Sequence, residues 1–295
     1  MTSAVQPSSR AQGDQDCPSC AFYPSPHYMP VTNNKHPKTP TSIFLLDVTS
    51  SNPGQMTLPL SLNTEERLRA DRFHHPHDRD LFISAHTLKR LALGFVTGIA
   101  PDKLVFGTTH YGKPVLESAS NLHFNLSHTS GMAAFAWSLT TELGIDIEHI
   151  DHIPAEIDPV WEEFFLTPQE RDYLSTKLDR RQELLKFWTA KEAIAKSEGL
   201  GLTLPFNKIQ VFAQLPGSRP RHRHVHNFCI SHRHMAALAT KNPNIIAPEE
   251  NPASLQLLSK SDLRSWQTSG KIPRTLDPFA SGVVKLPALY CAVTV

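Results

Sequence analysis

The sequence predicts an α+β fold made of two similar halves, and three observations carry that reading. Short apolar runs of strand length alternate with stretches in which apolar residues recur at helical spacing. Both halves run strand, helix, then further strands, the order of a duplicated α+β domain. A chain of 295 residues is also long enough to bury the sizeable core such a body needs.

Residues 1–41 are rich in Ser, Pro, Gln and Asn without apolar periodicity, and read as a disordered leader. An N-terminal half is expected over 42–140. Ile43 to Val48 is an apolar run of strand length, followed by the turn-forming Ser50-Ser51-Asn52-Pro53-Gly54. Thr64-Glu65-Glu66-Arg67 opens a helix with a polar cap, and Leu81, Ala85, Leu88, Ala92 and Phe95 mark one face of a second helix. Leu104 to Phe106 reads as a strand, Tyr111-Gly112-Lys113-Pro114 as a turn, His123 to Gly131 as a polar, glycine-ended loop, and Met132 to Leu139 as a buried strand.

A C-terminal half is expected over 141–240. It opens on a strand through Ile145 and Ile147 and continues with helices over 160–165, 168–177 and 181–197. Strands follow over 208–212, 227–230 and 235–239. Residues 241–295 form a Pro- and Asn-rich extension, with one amphipathic helix over 254–267 and an apolar end, 283–293, that can pack on the body or add an edge strand.

A formal net charge of +1 gives no global field for nucleic acid or an anionic membrane. No apolar run reaches the roughly 18 residues of a membrane span, and the N-terminus lacks a basic segment followed by an apolar one, so a cytoplasmic protein is expected. Cys17, Cys20, Cys229 and Cys291 are too few and scattered for a disulfide framework, which agrees with a reducing compartment. Cys17 and Cys20 form a CxxC, but a structural zinc needs four ligands and no second pair follows at a finger-like distance.

Chemistry concentrates in two acidic motifs about forty residues apart, Gly144-Ile145-Asp146-Ile147-Glu148 and Trp188-Thr189-Ala190-Lys191-Glu192-Ala193-Ile194-Ala195-Lys196. In a strand, side chains alternate faces, so Ile145 and Ile147 enter a core while Asp146 and Glu148 share the other face, their Cα atoms ~7 Å apart. In a helix, Glu192 and Lys196 at i and i+4 project together, roughly 6 Å apart along the axis. Carboxylate oxygens without a neighbouring His or Cys pair suit magnesium, with manganese as the alternative, and magnesium binds through substrate phosphates as well as protein. The plainer reading, a solvated strand face and a surface ion pair, fits each motif alone.

The segment His123-Phe124-Asn125-Leu126-Ser127-His128-Thr129-Ser130-Gly131 can donate to phosphate oxygens through Ser127, Thr129 and backbone amides. His128 adds charge when an anion raises its pKa. Lys113 on its turn can reach an anion too. Two histidine groups, His74, His75 and His77, and His222, His224, His226, His232 and His234, are expected to be solvated rather than metal-binding. Phe187 and Trp188 are expected to pack their helix.

Taken together, Tyr111 to Pro114, His123 to Gly131, Gly144 to Glu148 and Trp188 to Lys196, in this order and spacing, resemble the motifs of the Sfp-type 4'-phosphopantetheinyl transferases. Gly199-Leu200-Gly201-Leu202 and Thr64 to Phe73 resemble the family as well, and the likeness spans about residues 42–240. It implies two similar α+β halves with the active site in the cleft between them, and transfer of the phosphopantetheine arm of coenzyme A to a serine of an apo acyl or peptidyl carrier protein. Asp146, Glu148 and Glu192 would hold magnesium, Glu192 would be the base, and Lys196 would stabilise the leaving phosphate. Arg69, Lys113, Asn125, Ser127 and His128 would grip or shape the coenzyme A site together with Asp146, Glu192 and Lys196. Glu66 departs from the pattern, standing where some relatives carry a base for the 3'-phosphate. A monomer is expected, since a duplicated chain completes its own cleft. The competing readings are a magnesium phosphohydrolase and a coenzyme A-binding interaction protein without catalysis.

Overall fold

The computed structural model describes residues 41–49, 59–212, 222–241, 254–273, 284–285 and 289–293. The Cys17–Cys20 pair and residues 1–40 lie outside them, and Thr41, expected to end the leader, already belongs to the first strand. In chain order the elements are β1 (Thr41–Asp47), α1 (Thr64–Ala70), α2 (Pro76–Thr97), β2 (Phe106–Thr108), β3 (Pro114–Leu116), β4 (His123–Thr129), β5 (Met132–Ser138), β6 (Leu143–His149), α3 (Pro159–Phe165), α4 (Pro168–Ser175) and α5 (Arg180–Glu198). There follow β7 (Ile209–Phe212), β8 (His222–Cys229), β9 (His234–Thr240), β10 (Ser254–Ser259), α6 (Lys260–Ser269), β11 (Val284–Lys285) and β12 (Leu289–Val293).

Two sheets carry the body, ordered β10-β1-β5-β4 and β6-β9-β8-β12-β7, with β11 also on β8. The duplication is visible in topology. In the first half β1 leads through α2 to the hairpin β4–β5 and pairs antiparallel with its second strand. In the second half β6 leads through α5 to β8–β9 and does the same. The fold is thus α+β with two similar halves, as the sequence predicts.

Burial divides by face. Phe135 and Trp137 of β5 and Phe124 of β4 pack with Leu81, Leu88 and Leu91 of α2 and Trp266 of α6. Val225, Met235, Ala237 and Ala239 pack with Leu184, Leu185, Ala190 and Ile194 of α5. Between the sheets lie Ile43, Leu45, Ala134, Ala136, Ile145, Ile147, Phe228, Ala236 and Leu238. The layers therefore run helix, sheet, sheet, helix, and the alanines let the two inner faces meet closely.

Three expectations change. His123 to Thr129 is a strand, not a loop. Its small polar side chains, Asn125, Ser127 and Thr129, are buried against the second half, so the polarity that suggested a loop is the polarity of a seam. The amphipathic helix expected over 254–267 is a strand followed by a helix: β10 pairs parallel with β1, and a capping box between Ser259 and Asp262 starts α6 at Lys260. The apolar end enters the second sheet between β8 and β7 instead of forming its edge. Smaller shifts occur at β2, which starts at Phe106 after the turn Pro101–Lys103, and at β8, which starts at His222.

Buried ion pairs tie the short helices to the long ones. Glu66 caps its own helix with Asn63 and turns inward to Arg90, to Lys89 at 3.0 Å and to His86 at 2.9 Å, fastening α1 on α2. Lys191 Nζ donates to Glu170 at 2.6 Å and to the carbonyls of Phe165 and Phe206, all fully inside, while Glu170 also accepts from the Val211 N–H at 2.8 Å. That links α4, α5 and β7.

Candidate active site

Strand β6 lies directly on the backbone of α5, and Gly144 makes this possible. A Cβ there would stand 2.2 Å from the Ala193 carbonyl oxygen and 2.3 Å from the Ser197 nitrogen, so no side chain fits. Two residues further along, Asp146 meets α5 at Lys196, with Glu192 beside it. From the other side, Asn125 Oδ1 accepts the Ile145 N–H at 2.8 Å and pins β6 to β4. The strand is thus fixed on both flanks.

Asp146 is 1% exposed. Its Oδ1 receives Ser127 Oγ at 2.8 Å and Lys196 Nζ at 2.5 Å, and Lys196 also reaches Ser127 at 2.9 Å. Its Oδ2 is buried without a hydrogen-bond partner. Such an oxygen costs ~1–3 kcal/mol unless something completes it. Glu148 accepts from Trp188 Nε1 at 3.3 Å and shares a hydrogen bond with His152 Nδ1 at 2.7 Å. Glu192 stands half-buried beside both acids, and its carboxyl is raised to about 7 by desolvation and then by Asp146, with Glu148 adding and Lys196 opposing. A like-charged neighbourhood of this kind is relieved by a cation.

The donor set fits magnesium. Among the described residues no three His, Cys, Asp or Glu stand ready to cage an ion by themselves. Magnesium needs no such cage, because it keeps waters and phosphate oxygens among its ligands and takes one or two carboxylates from the protein. The partnerless oxygen of Asp146 is the atom that such an ion would complete.

The other predicted residues fall into two places. His128 is exposed on β4 with its pKa held below the ordinary range by desolvation, then by Lys196 and Arg69; Arg69 lies on α1 with its guanidinium 5.1 Å from the Phe82 ring centroid. These three side chains share one region, and an anion there would reverse the depression of His128. Lys113 stands at the opposite end of the β6–α5 contact. Its ammonium donates to the Leu143 carbonyl at 3.0 Å and the Ser197 carbonyl at 3.3 Å. Burial, partly offset by Glu142, lowers it to about 8, with Arg223 and Lys241 adding to the depression. In this arrangement Lys113 caps the end of α5, so its amine reaches a ligand only by leaving those carbonyls.

Sequence reasoning assigned Trp188 to packing. It does stack on Trp161, centroids 5.7 Å apart and 22° between planes, but its indole N–H also orients Glu148. The signal was available: Trp188 and Glu192 are four residues apart on one helical face. His152 was missed altogether. Of the two histidine groups, His74, His75 and His77 are exposed as expected, whereas His226 is buried inside the second sheet.

A family model described as the 4'-phosphopantetheinyl transferase superfamily matches residues 142–247, and one described as 4'-phosphopantetheinyl transferase, N-terminal, matches 52–139. The chain is 33% identical over 150 residues to 4'-phosphopantetheinyl transferase HetI of Nostoc sp., covering 49% of this chain and 62% of that protein. It is 29% identical over 151 residues to 4'-phosphopantetheinyl transferase Sfp of Bacillus subtilis, covering 51% and 66%. The L-aminoadipate-semialdehyde dehydrogenase-phosphopantetheinyl transferase of Schizosaccharomyces pombe is 25% identical over 156 residues, covering 48% and 60%. The matches thus span a little under two thirds of these relatives' own lengths. A solved structure, the holo-[acyl-carrier-protein] synthase of Thermotoga maritima, aligns at 23% identity and a TM-score of 0.27 over 34% of this chain and 63% of that one. With one matching model on each half of a duplicated α+β fold, the chain belongs to the 4'-phosphopantetheinyl transferase superfamily.

Proposed function

We propose that the protein transfers the 4'-phosphopantetheine arm of coenzyme A to a serine hydroxyl of an apo carrier protein, releasing adenosine 3',5'-bisphosphate. The observation that carries this reading is the grouping of a buried Asp146, a carboxylic acid at Glu192 poised near neutrality, and Lys196. Glu192 in its ionised form takes the proton of the carrier serine, and a base with a pKa near 7 is matched to that task. The serine oxygen attacks the phosphorus that bears the pantetheine, the bond from that phosphorus to the bridging oxygen breaks, and the charge collects on the departing bisphosphate. Lys196 is placed to offset it. Asp146, Glu148 and Glu192 are the residues that would hold magnesium, or manganese in its place, which when bound neutralises pyrophosphate oxygens. Arg69, Ser127 and His128 face the nucleotide end, with Asn125 holding the strand that carries Asp146 and Lys113 closing the far end of the site.

The site is assigned to the cleft between an N-terminal half over 42–140 and a C-terminal half over 141–240, in a cytoplasmic monomer. Among the described residues no helix is long and apolar enough to cross a membrane. Incubation with coenzyme A, magnesium and an apo carrier tests the reading by intact mass. A carrier heavier by one phosphopantetheine supports it; coenzyme A cleaved with the carrier unchanged replaces transfer by hydrolysis. A panel of acyl, peptidyl and related carriers assayed side by side identifies the acceptor.

A further inference from the structure

The oxygen-only reading of the cation site counts carboxylates alone, although His149 and His152 follow Glu148 closely in the sequence. The fold brings the second of them back to Glu148. Were β6 to continue, a residue four past Glu148 would lie ~13 Å along the strand. Instead the chain folds back after His149 into the turn Ile150–His152, held by the Ile150 N–H on the Arg233 carbonyl at 2.8 Å and the Ile153 N–H on the Ile150 carbonyl at 3.0 Å. His152 Nδ1 consequently stands 2.7 Å from Glu148 Oε2, with Thr129 Oγ1 3.4 Å from the same nitrogen. Half of the ring is open to solvent, so it is free to turn.

From this geometry we infer that His152 is a nitrogen ligand of the divalent-cation site and shifts its preference from magnesium towards manganese. The inference rests on the cation reading of Asp146, Glu148 and Glu192 given above. Adjacent donors on one octahedral ion with bonds of ~2.1 Å are separated by roughly 3 Å, close to the spacing already present between the imidazole and the carboxylate. Glu148 Oε1 is taken by the indole of Trp188, which leaves Oε2, the oxygen beside His152, to face an ion. Imidazole adds little to the binding of magnesium, a hard ion suited to oxygen, and progressively more along the series from manganese to nickel. A site with one imidazole among carboxylates therefore separates ions that an oxygen-only site treats alike.

The test uses the full-length protein, stripped of metal by a chelator and titrated with manganese alone, with bound ion read by electron paramagnetic resonance and magnesium affinity by competition. Directly bound imidazole imprints a nitrogen coupling on the electron spin echo. The parent shows that coupling and His152→Ala loses it. In the variant the manganese dissociation constant rises by about tenfold, while that of magnesium moves by less than about twofold. Absence of the nitrogen coupling in the parent overturns the assignment, as does equal weakening of both ions or tighter binding of both in His152→Ala, the mark of a side chain that merely blocks the site. Failure of the underlying cation reading is a separate result: manganese binding that survives Asp146→Asn unchanged shows that the ion sits elsewhere, and His152 falls with it.

Discussion

Glu192 shows what a single side chain contributes here. Its raised pKa means that between about 4.5 and about 7 the folded protein holds a proton that the unfolded chain has released. Stability therefore falls as pH climbs through that window and stays reduced above it. Replacing the acid by an amide removes the loss: without metal at pH 8, Glu192→Gln is expected to be more stable than the parent by about 1–2 kcal/mol, discounted for the partial exposure of the group, and unchanged at pH 4. Urea denaturation at the two pH values measures it, and equal curves at pH 8 would return Glu192 to an ordinary carboxylate environment. The same variant is expected to lose transfer by a factor of about 10²–10⁴, the range for removing a general base, with coenzyme A binding less affected because Ser127, His128 and Arg69 remain. Trp188→Phe isolates the indole bond: stacking on Trp161 persists, stability changes by less than about 1 kcal/mol, and single-turnover transfer slows by about tenfold as Glu148 loses its orientation.

Helix α5 is set by an element far from the catalytic surface. β7 pairs with β12 through Phe212–Tyr290, Val211–Cys291, Gln210–Ala292 and Ile209–Val293, and the Val211 N–H meets Glu170, whose carboxylate holds Lys191 beside Glu192. Since β12 also pairs with β8, it lies between β8 and β7 in the sheet and links them. Ending the chain at residue 286, which keeps β11, is expected to lower the melting temperature and to raise amide exchange selectively in 209–212 and 222–225, with transfer reduced; unchanged exchange there would show that β12 is dispensable. Breaking the buried pair with Lys191→Met alone is expected to cost about 3–5 kcal/mol, and adding Glu170→Leu to restore only part of it, because the uncompensated charge goes but the N–H groups of Val211 and Thr167 lose their acceptor. How much of this the sequence reveals varies by element. β6 and α5 are legible because each has one face in an apolar core, and β5 because it is apolar on both faces. β4 is not, because its Asn125, Ser127 and Thr129 face the seam between halves. The β10–α6 break is hidden because Leu255, Leu258 and Trp266 also fit helical spacing, and only pairing with β1 makes the first part a strand. The acids of the site were readable from spacing, whereas His152 depends on a turn and Lys113 on carbonyls brought together by Gly144.

Across the whole molecule, the seam decides whether the halves behave as one. Each half places an apolar face of its sheet, Ile43, Leu45, Ala134 and Ala136 from the first, Ile145, Ile147, Phe228, Ala236 and Leu238 from the second, on the other, and neither face is covered within its own half. The chain crosses between the sheets from β5 to β6, from β9 to β10 and from α6 to β11, and Asn125 stitches them at Ile145. Separating the halves would expose that surface at about 25 cal/mol per Å², so a state with one half folded and the other unfolded is disfavoured. The tryptophans allow a direct check, since Trp137 and Trp266 lie in the first core and Trp161 and Trp188 pack in the second. With Trp161 and Trp188 both replaced by phenylalanine, fluorescence follows the first half alone while far-ultraviolet circular dichroism follows both. The two signals are expected to trace one urea transition with a common midpoint and slope. Two separated transitions would show instead that the halves unfold independently and that the cleft holding Asp146 and Glu192 opens before either core is lost.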